Sequence, residues 1–147
     1  MAMGDPPMPS SFVVSISLKS AVTAVHNGTP DRVLVIDDDL DTAQSLATLL
    51  RDMGLVVEFA INARAGLDIA RRLQPTIVFV DLILPDMDGC QVACVLRDDP
   101  VFKRPRILAI TGSGSEEDRK RTREAGCEQH LLKPIDVSSI EKALRRA

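Results

Sequence analysis

Several apolar runs in this chain end in a residue able to do chemistry. Val33-Leu34-Val35-Ile36 runs into Asp37-Asp38-Asp39, and Ile77-Val78-Phe79-Val80 runs into Asp81. Ile107-Leu108-Ala109-Ile110 ends in Thr111, and Leu131-Leu132 ends in Lys133. The first three runs are short, unbroken and rich in β-branched residues, as strands buried on both faces are. Taken alone, Asp81 has an ordinary reading as the cap of a loop, because Asp commonly follows strands. Taken together, the four ends describe a pocket of acids with a hydroxyl and an ammonium. Two carboxylates about 5 Å apart repel by roughly 3 kcal/mol at an effective dielectric near 20. Three would weigh heavily on a domain whose whole stability is about 5–15 kcal/mol. A divalent cation removes that burden, and Mg²⁺ takes oxygen ligands from a few carboxylates while keeping waters or phosphate oxygens. Asp is a competent nucleophile for forming an aspartyl phosphate. A metal and a lysine neutralise phosphoryl oxygens, and a threonine hydroxyl bonds one of them. The chemistry these residue types suit is phosphoryl transfer to a carboxylate.

The elements between the runs must bring those ends together. From Asp31 onward, strands alternate with amphipathic helices. Strand one, Arg32–Ile36, precedes a helix capped by Asp41 or Thr42, with an apolar stripe of Ala43, Leu46, Ala47, Leu49, Leu50 and Met53 and a stop at Gly54. Strand two, Leu55–Ala60, precedes a helix capped by Asn62 and ended before Pro75. Strand three is the Ile77 run, followed by the turn Asp86-Met87-Asp88-Gly89 and a helix through Val92, Ala93, Val95 and Leu96. Strand four, Arg106–Ile110, leads to a helix begun at Ser115, with Glu116, Glu117 and Asp118 in its first turn and Arg121 and Arg123 nearer its end. Strand five, Glu128–Leu132, is followed by a last helix starting at Asp136 or Ser138. This alternation predicts an α/β fold with a doubly wound parallel sheet, flavodoxin-like (βα)5, in strand order 2-1-3-4-5. In that order the carboxyl ends bring Asp37, Asp38, Asp81, Thr111 and Lys133 to one place, since adjacent strands lie about 4.8 Å apart.

Composition narrows the classes further. With 147 residues the chain holds one domain with a real core. Apolar residues make up 45% and charged residues 27%, ordinary for a globular protein. Four Phe with neither Trp nor Tyr argue against stacking platforms for single-stranded nucleic acid. A formal charge of −3 removes the electrostatic case for direct binding to nucleic acid or an anionic membrane. No apolar run is long enough to span a bilayer. Cys90, Cys94 and Cys127 form no metal-ligand pattern and are read as reduced core thiols, which fits a cytoplasmic location. Residues 1–30 are Pro-, Met- and Ser-rich at first and end in the turn signal Asn27-Gly28-Thr29-Pro30. They are expected to form a disordered or weakly structured lead to a domain over 31–147. The weak alternation through Phe12–Leu18 leaves an extra strand as the other reading.

With these motifs in order, the chain resembles a response-regulator receiver domain of two-component signalling, CheY-like. The resemblance rests on Val33-Leu34-Val35-Ile36-Asp37-Asp38-Asp39, Val80-Asp81-Leu82-Ile83-Leu84-Pro85-Asp86-Met87-Asp88-Gly89, Ile110-Thr111-Gly112 and Leu132-Lys133-Pro134. It implies that Asp81 is the phosphoacceptor, charged by a histidine kinase or a histidine phosphotransfer protein. It implies that Asp38 ligates Mg²⁺ directly, Asp37 mainly through water, and Ile83 through its main-chain carbonyl. Thr111 and Lys133 would bind the phosphoryl group, and the Lys133–Pro134 peptide would be cis. Signalling to a downstream protein target would pass through the face made by helix four, strand five and helix five. Three residues before the lysine, where the family usually carries Tyr or Phe as its switch, this chain has His130. His130 is therefore expected to serve the readout together with Thr111, and not the chemistry. Ile83 and Ser113 stand where the family tunes phosphoryl lifetime. The last helix ends the chain, so a stand-alone receiver is expected.

Other readings fit the residues less well. Asp37-x-Asp39-x-Asp41 superficially resembles a haloacid-dehalogenase motif, but such enzymes want Thr or Val where Asp41 stands. A calcium loop would need glycine at Thr42 and glutamate at Thr48. A flavodoxin-like cofactor binder would meet an acidic end to strand one that repels phosphate. A purely structural receiver leaves the full set of chemical residues without a use.

Overall fold

The computed structural model describes Val25, His26 and residues 28–145. Among the described residues from Arg32 onward, five strands and five helices alternate: β1 Arg32–Ile36, α1 Leu40–Asp52, β2 Val56–Ala60, α2 Ala63–Leu73, β3 Ile77–Asp81, α3 Gly89–Asp98, β4 Arg106–Thr111, α4 Glu116–Glu124, β5 Gln129–Leu132 and α5 Val137–Leu144. The sheet is parallel throughout, in the order β2-β1-β3-β4-β5, the flavodoxin-like (βα)5 arrangement that the alternation predicts. The register aligns Ile36 with Val80, Asp81 with Ile110 and Thr111 with Leu132, so the chemical residues come out at one edge.

Side chains of successive strand residues point to opposite faces, and the core divides accordingly. Val33, Val35, Phe79, Leu108 and Ile110 pack with Ala43, Leu46 and Leu50 of α1 and Ile140 and Ala143 of α5. Leu34, Ile36, Val78, Val80, Ile107 and Ala109 pack with Leu67 and Ala70 of α2 and Val92 and Leu96 of α3. Every residue of β3 is buried, which makes it the spine of the sheet. Helix α4 differs from the other helices: its sequence is almost wholly charged, and Thr122 is its one buried residue.

Several boundaries depart from the sequence reading. Helix α1 is capped by Asp39 and not by Asp41 or Thr42, because the Asp39 carboxylate accepts from the Asp41 amide at 3.1 Å and the Thr42 hydroxyl at 2.9 Å. Strand β4 runs one residue further, to Thr111, and β2 starts at Val56. The caps at Asn62 and Ser115 stand where the sequence puts them, and of Asp136 and Ser138 it is Asp136 that caps α5. Within the stretch read as a lead, Val25–His26 pairs antiparallel with Thr29–Pro30 as a short ribbon. The Phe12–Leu18 run lies outside the described residues.

Arg106 fastens the last helix to the sheet. Its guanidinium lies against Glu128 and donates to the carbonyls of Ala143 (2.6 Å) and Leu144 (3.0 Å) at the end of α5. A cation at a helix C-terminus is well placed for both the open carbonyls and the macrodipole. Arg106→Ala leaves those acceptors unpaired, which costs about 1–3 kcal/mol. The expected result is a lower urea midpoint with faster amide exchange confined to α5.

Candidate functional site

Each residue of the pocket is delivered by the end of a strand. Asp37 follows β1 and is wholly buried, its amide bound to the Ala60 carbonyl at 3.0 Å. One of its carboxylate oxygens accepts from the Asp39 amide at 2.9 Å. Asp38, next along, is exposed. Asp81 ends β3, and its Oδ1 accepts from the Ile83 amide at 3.0 Å. Lys133 follows β5, its own amide bound to the Thr111 carbonyl at 2.8 Å. Its ammonium reaches both buried acids, with Nζ 2.8 Å from Asp81 Oδ2 and 2.9 Å from Asp37 Oδ2. Thr111 ends β4 with its hydroxyl oxygen accepting from the Ser113 amide at 3.1 Å. The Lys133–Pro134 peptide is cis, as the resemblance implies.

One glycine is required for this geometry. A Cβ on Gly89, the first residue of α3, would lie 2.2 Å from the Asp81 carbonyl oxygen and 2.7 Å from the Leu82 Cα. Only a residue without a side chain lets α3 start directly against the end of β3. Asp88 then caps α3 by accepting from the Cys90 amide, in a capping box with Gln91. Asp86 reaches across to α2, accepting from the amides of Ala63 (2.9 Å) and Arg64 (3.0 Å). The Asp86–Gly89 stretch reads in sequence as a turn; the structure makes it the tie between the site and two helices. Nothing in the sequence names the amides these two acids would bind.

The charge in the pocket does not balance. Asp37, Asp38 and Asp81 each present an oxygen within 4.8 Å of the others, and one ammonium stands among them. Burial pushes the Asp37 carboxyl above the usual carboxylate range; the nearby Asp81 charge adds to this, and Lys133 and the Asp39 amide oppose it. Burial works against the Lys133 ammonium, but its bonds to Asp37 and Asp81 hold it above the usual lysine range. Asp37 Oδ2 is buried and ion-paired with the Lys133 ammonium at 2.9 Å. Three carboxylate oxygens within 4.8 Å of one another, with a single ammonium among them, fit a hard divalent cation with oxygen ligands.

Of the residues predicted from sequence, Asp37, Asp38, Asp81 and Lys133 converge directly, and Thr111 lies at the same sheet edge, hydrogen-bonded through its carbonyl to Lys133. Ile83 stands beside Asp81 with 77% of its surface exposed. His130 lies on β5 away from the acids: its Nδ1 is 3.4 Å from the Thr122 hydroxyl of α4 and its Nε2 is 3.1 Å from the Ser113 carbonyl.

Residues 33–145 match the response regulator receiver domain family. The chain belongs to that family. Among relatives of this receiver domain, an uncharacterized 14.6 kDa protein of Leptolyngbya boryana is 35% identical over 78% of this chain and 87% of its own length. The polar-differentiation response regulator DivK of Brucella anthropi is 29% identical over 79% of this chain and 94% of DivK. Other relatives are longer, and the receiver domain spans about half of them. Among solved structures, the chemotaxis protein CheY4 of Vibrio cholerae superposes with a TM-score of 0.73 at 27% identity, over 78% of this chain and 95% of CheY4. Receiver domains serve two-component response regulators as phosphoacceptor signalling modules. No helix among the described residues is long and apolar enough to cross a membrane.

The buried acid leads to a pH prediction. A carboxyl whose folded pKa lies above its unfolded value costs stability when ionised, and the cost vanishes as pH falls below both values. Without metal, Asp37→Asn should therefore melt higher than the parent near pH 7. That gap should close as the pH is lowered through the carboxylate range, and melting curves of both proteins from pH 7 to pH 4 measure it.

Proposed function

We propose that this receiver domain accepts a phosphoryl group on Asp81 from a histidine kinase or a histidine phosphotransfer protein, in a Mg²⁺-dependent reaction. The observation that carries the reading is the Asp81 carboxylate itself. It stands at the end of the central strand with Lys133 Nζ 2.8 Å away and two further carboxylates beside it. In the transfer, an Asp81 oxygen attacks phosphorus as the bond from phosphorus to a nitrogen of the donor's protonated imidazole breaks, leaving an aspartyl phosphate and a neutral histidine. The Thr111 hydroxyl would donate to one phosphoryl oxygen, and the Lys133 ammonium would pair with another. Asp37, Asp38, Asp81 and the Ile83 carbonyl would hold the Mg²⁺, which neutralises charge on the phosphoryl oxygens when bound. Later attack by water on phosphorus returns Asp81 and inorganic phosphate, so the domain catalyses only its own phosphorylation and dephosphorylation.

The output in this reading is a phosphorylation-dependent change of the face formed by α4, β5 and α5, recognised by a downstream protein. Support comes from the packing of α4, which depends on polar contacts and so is easily displaced. His130 and Thr111 act as the switch pair. We place the protein in the cytoplasm, with residues 31–147 as the functional domain and 1–30 as a dispensable lead. Free Cys90, Cys94 and Cys127 are consistent with a reducing compartment.

Two measurements test the chemistry. Asp81→Asn preserves shape but removes the nucleophile, so acyl phosphate formation from acetyl phosphate and Mg²⁺ should fall to background while the melting temperature stays within a few degrees. Undiminished labelling would overturn the assignment. Asp38→Ala should weaken Mg²⁺ binding about tenfold or more, read by titration calorimetry, and should shrink the rise in melting temperature that Mg²⁺ gives the parent.

A further inference from the structure

The loop after β3 is closed at its base and held a second time at its tip. At the base, the Gly89 amide donates to the Leu82 carbonyl at 2.8 Å, and Ile83 forms an antiparallel bridge with Asp88. The Ile83 amide itself is bound to Asp81 Oδ1. At the tip, Asp86 reaches back to the start of α2. Its Oδ1 accepts from the Ala63 amide at 2.9 Å and its Oδ2 from the Arg64 amide at 3.0 Å. The base contacts already close the turn, so the tip contact has some other use.

Helix α2 has a cap of its own. Asn62 accepts from the Ala65 amide at 2.8 Å, and the Gly66 amide donates to the Asn62 carbonyl at 3.1 Å. That leaves the Ala63 and Arg64 amides, which no carbonyl within the helix can reach. Asp86 takes both, one with each oxygen. The bond from Ala63, followed by that from Arg64, holds its carboxyl below the usual carboxylate range, so it is ionised near neutral pH. A negative charge there also suits the positive end of the helix dipole.

What α2 offers the loop is a fixed reference. Gly66, within its first turn, packs on Ile36, the last residue of β1. A Cβ on Gly66 would lie 2.5 Å from Ile36 Cδ1 and 2.8 Å from Cγ1. Ile36 is fully buried and directly precedes Asp37 and Asp38. The Asp37 amide in turn holds the Ala60 carbonyl, two residues before Asn62. The start of α2 therefore rides on the strand end that carries two of the three acids. Asp86 connects that start to the loop that follows the third.

We propose that Asp86 is a positioning residue for the divalent cation site. By clamping the β3–α3 loop to α2, it fixes the spacing between Asp37 and Asp38 on one side and Asp81 and Ile83 on the other. This rests on the reading that those residues hold Mg²⁺. Asp86 is not among the acids whose oxygens converge, and it acts through the backbone it holds. Three carboxylates around one ammonium repel one another, and a tie outside the pocket resists their spreading. By linkage, a cation bound between the two sides must steady the clamp in return.

The test compares two ways of uncapping the same helix. Asn62→Ala removes the cap and keeps the clamp, Asp86→Ala removes the clamp and keeps the cap, and Asp86→Asn leaves one acceptor oxygen. Mg²⁺ binding to each full chain is measured by titration calorimetry, and the metal-free melting temperature is taken alongside. Asp86→Ala should bind Mg²⁺ about fivefold more weakly than the parent, the scale of one or two hydrogen bonds. Asp86→Asn should fall between the two. Asn62→Ala should stay within about twofold of the parent even though losing a cap lowers its melting temperature. Parent-like affinity in Asp86→Ala would overturn the proposal. An equal loss in Asn62→Ala would also overturn it, because loosening α2 by any means would then suffice. Amide exchange of the metal-free proteins supplies a readout that needs no Mg²⁺. Exchange at Ile83 should quicken in Asp86→Ala and stay parent-like in Asn62→Ala, and unchanged exchange in Asp86→Ala removes the clamp. If the parent itself takes up no Mg²⁺, the assignment of the acids to a metal is what fails, and exchange still decides whether Asp86 holds the loop.

Discussion

The site depends on holding three carboxylates close together with one lysine among them. Asp37 and Asp81 are buried and share the Lys133 ammonium, while Asp38 stays at the surface within reach of both. One positive charge against three negative ones leaves an excess that the fold must hold in place. It does so with backbone donors: the Asp39 amide on Asp37 and the Ile83 amide on Asp81 each satisfy one carboxylate oxygen. The second oxygens of Asp37 and Asp81 both rest on the one Lys133 ammonium.

The rest of the structure makes that concentration of charge possible. A parallel sheet delivers every strand end to the same side, and burial of both faces prevents β1 and β3 from shifting against each other. Gly89 brings the start of α3 against the Asp81 backbone, where any side chain would collide. Asp86 and Asp88 then spend their carboxylates on the amides of α2 and α3. The three acids from Asp81 to Asp88 on this loop and strand end thus divide their work: one faces the pocket, two bind helix amides, and their roles differ only because their surroundings do.

Stability is distributed unevenly around the sheet. Helices α1, α2, α3 and α5 bury apolar stripes, whereas α4 offers the core a single threonine. Its other attachments include four polar ones: Thr122 to His130, Arg119 to the Gly114 carbonyl, Arg121 to Asp88, and Arg97 of α3 to the Glu124 carbonyl. Two of the four lead to the loop after β4 or to His130, one leads to the loop after β3, and one leads to α3. An element attached in part through the loops that carry the site is one whose position those loops can bias.

Much of this was legible in the chain. Apolar runs of strand length ending in Asp37, Asp81, Thr111 and Lys133, separated by helical periodicity, determined the α/β class, the strand order and the convergence of those residues. They could do so because burial pattern and strand polarity are local properties, and parallel topology places all strand ends on one side. What only the tertiary structure decided lies in contacts between residues distant in sequence. Asp39, not Asp41 or Thr42, caps α1, because several acids and hydroxyls competed for one set of amides and backbone geometry chose among them. Asp86 and Asp88 read as turn residues until their partners in α2, α3 and α4 were placed. His130 could be identified by its distance from Lys133, but its bonds to Ser113 and Thr122 span 17 and 8 residues. Those contacts follow from how β5 lies beside α4 and the β4–α4 loop, and the direction of a side chain across such a gap is set by packing, which sequence periodicity does not specify.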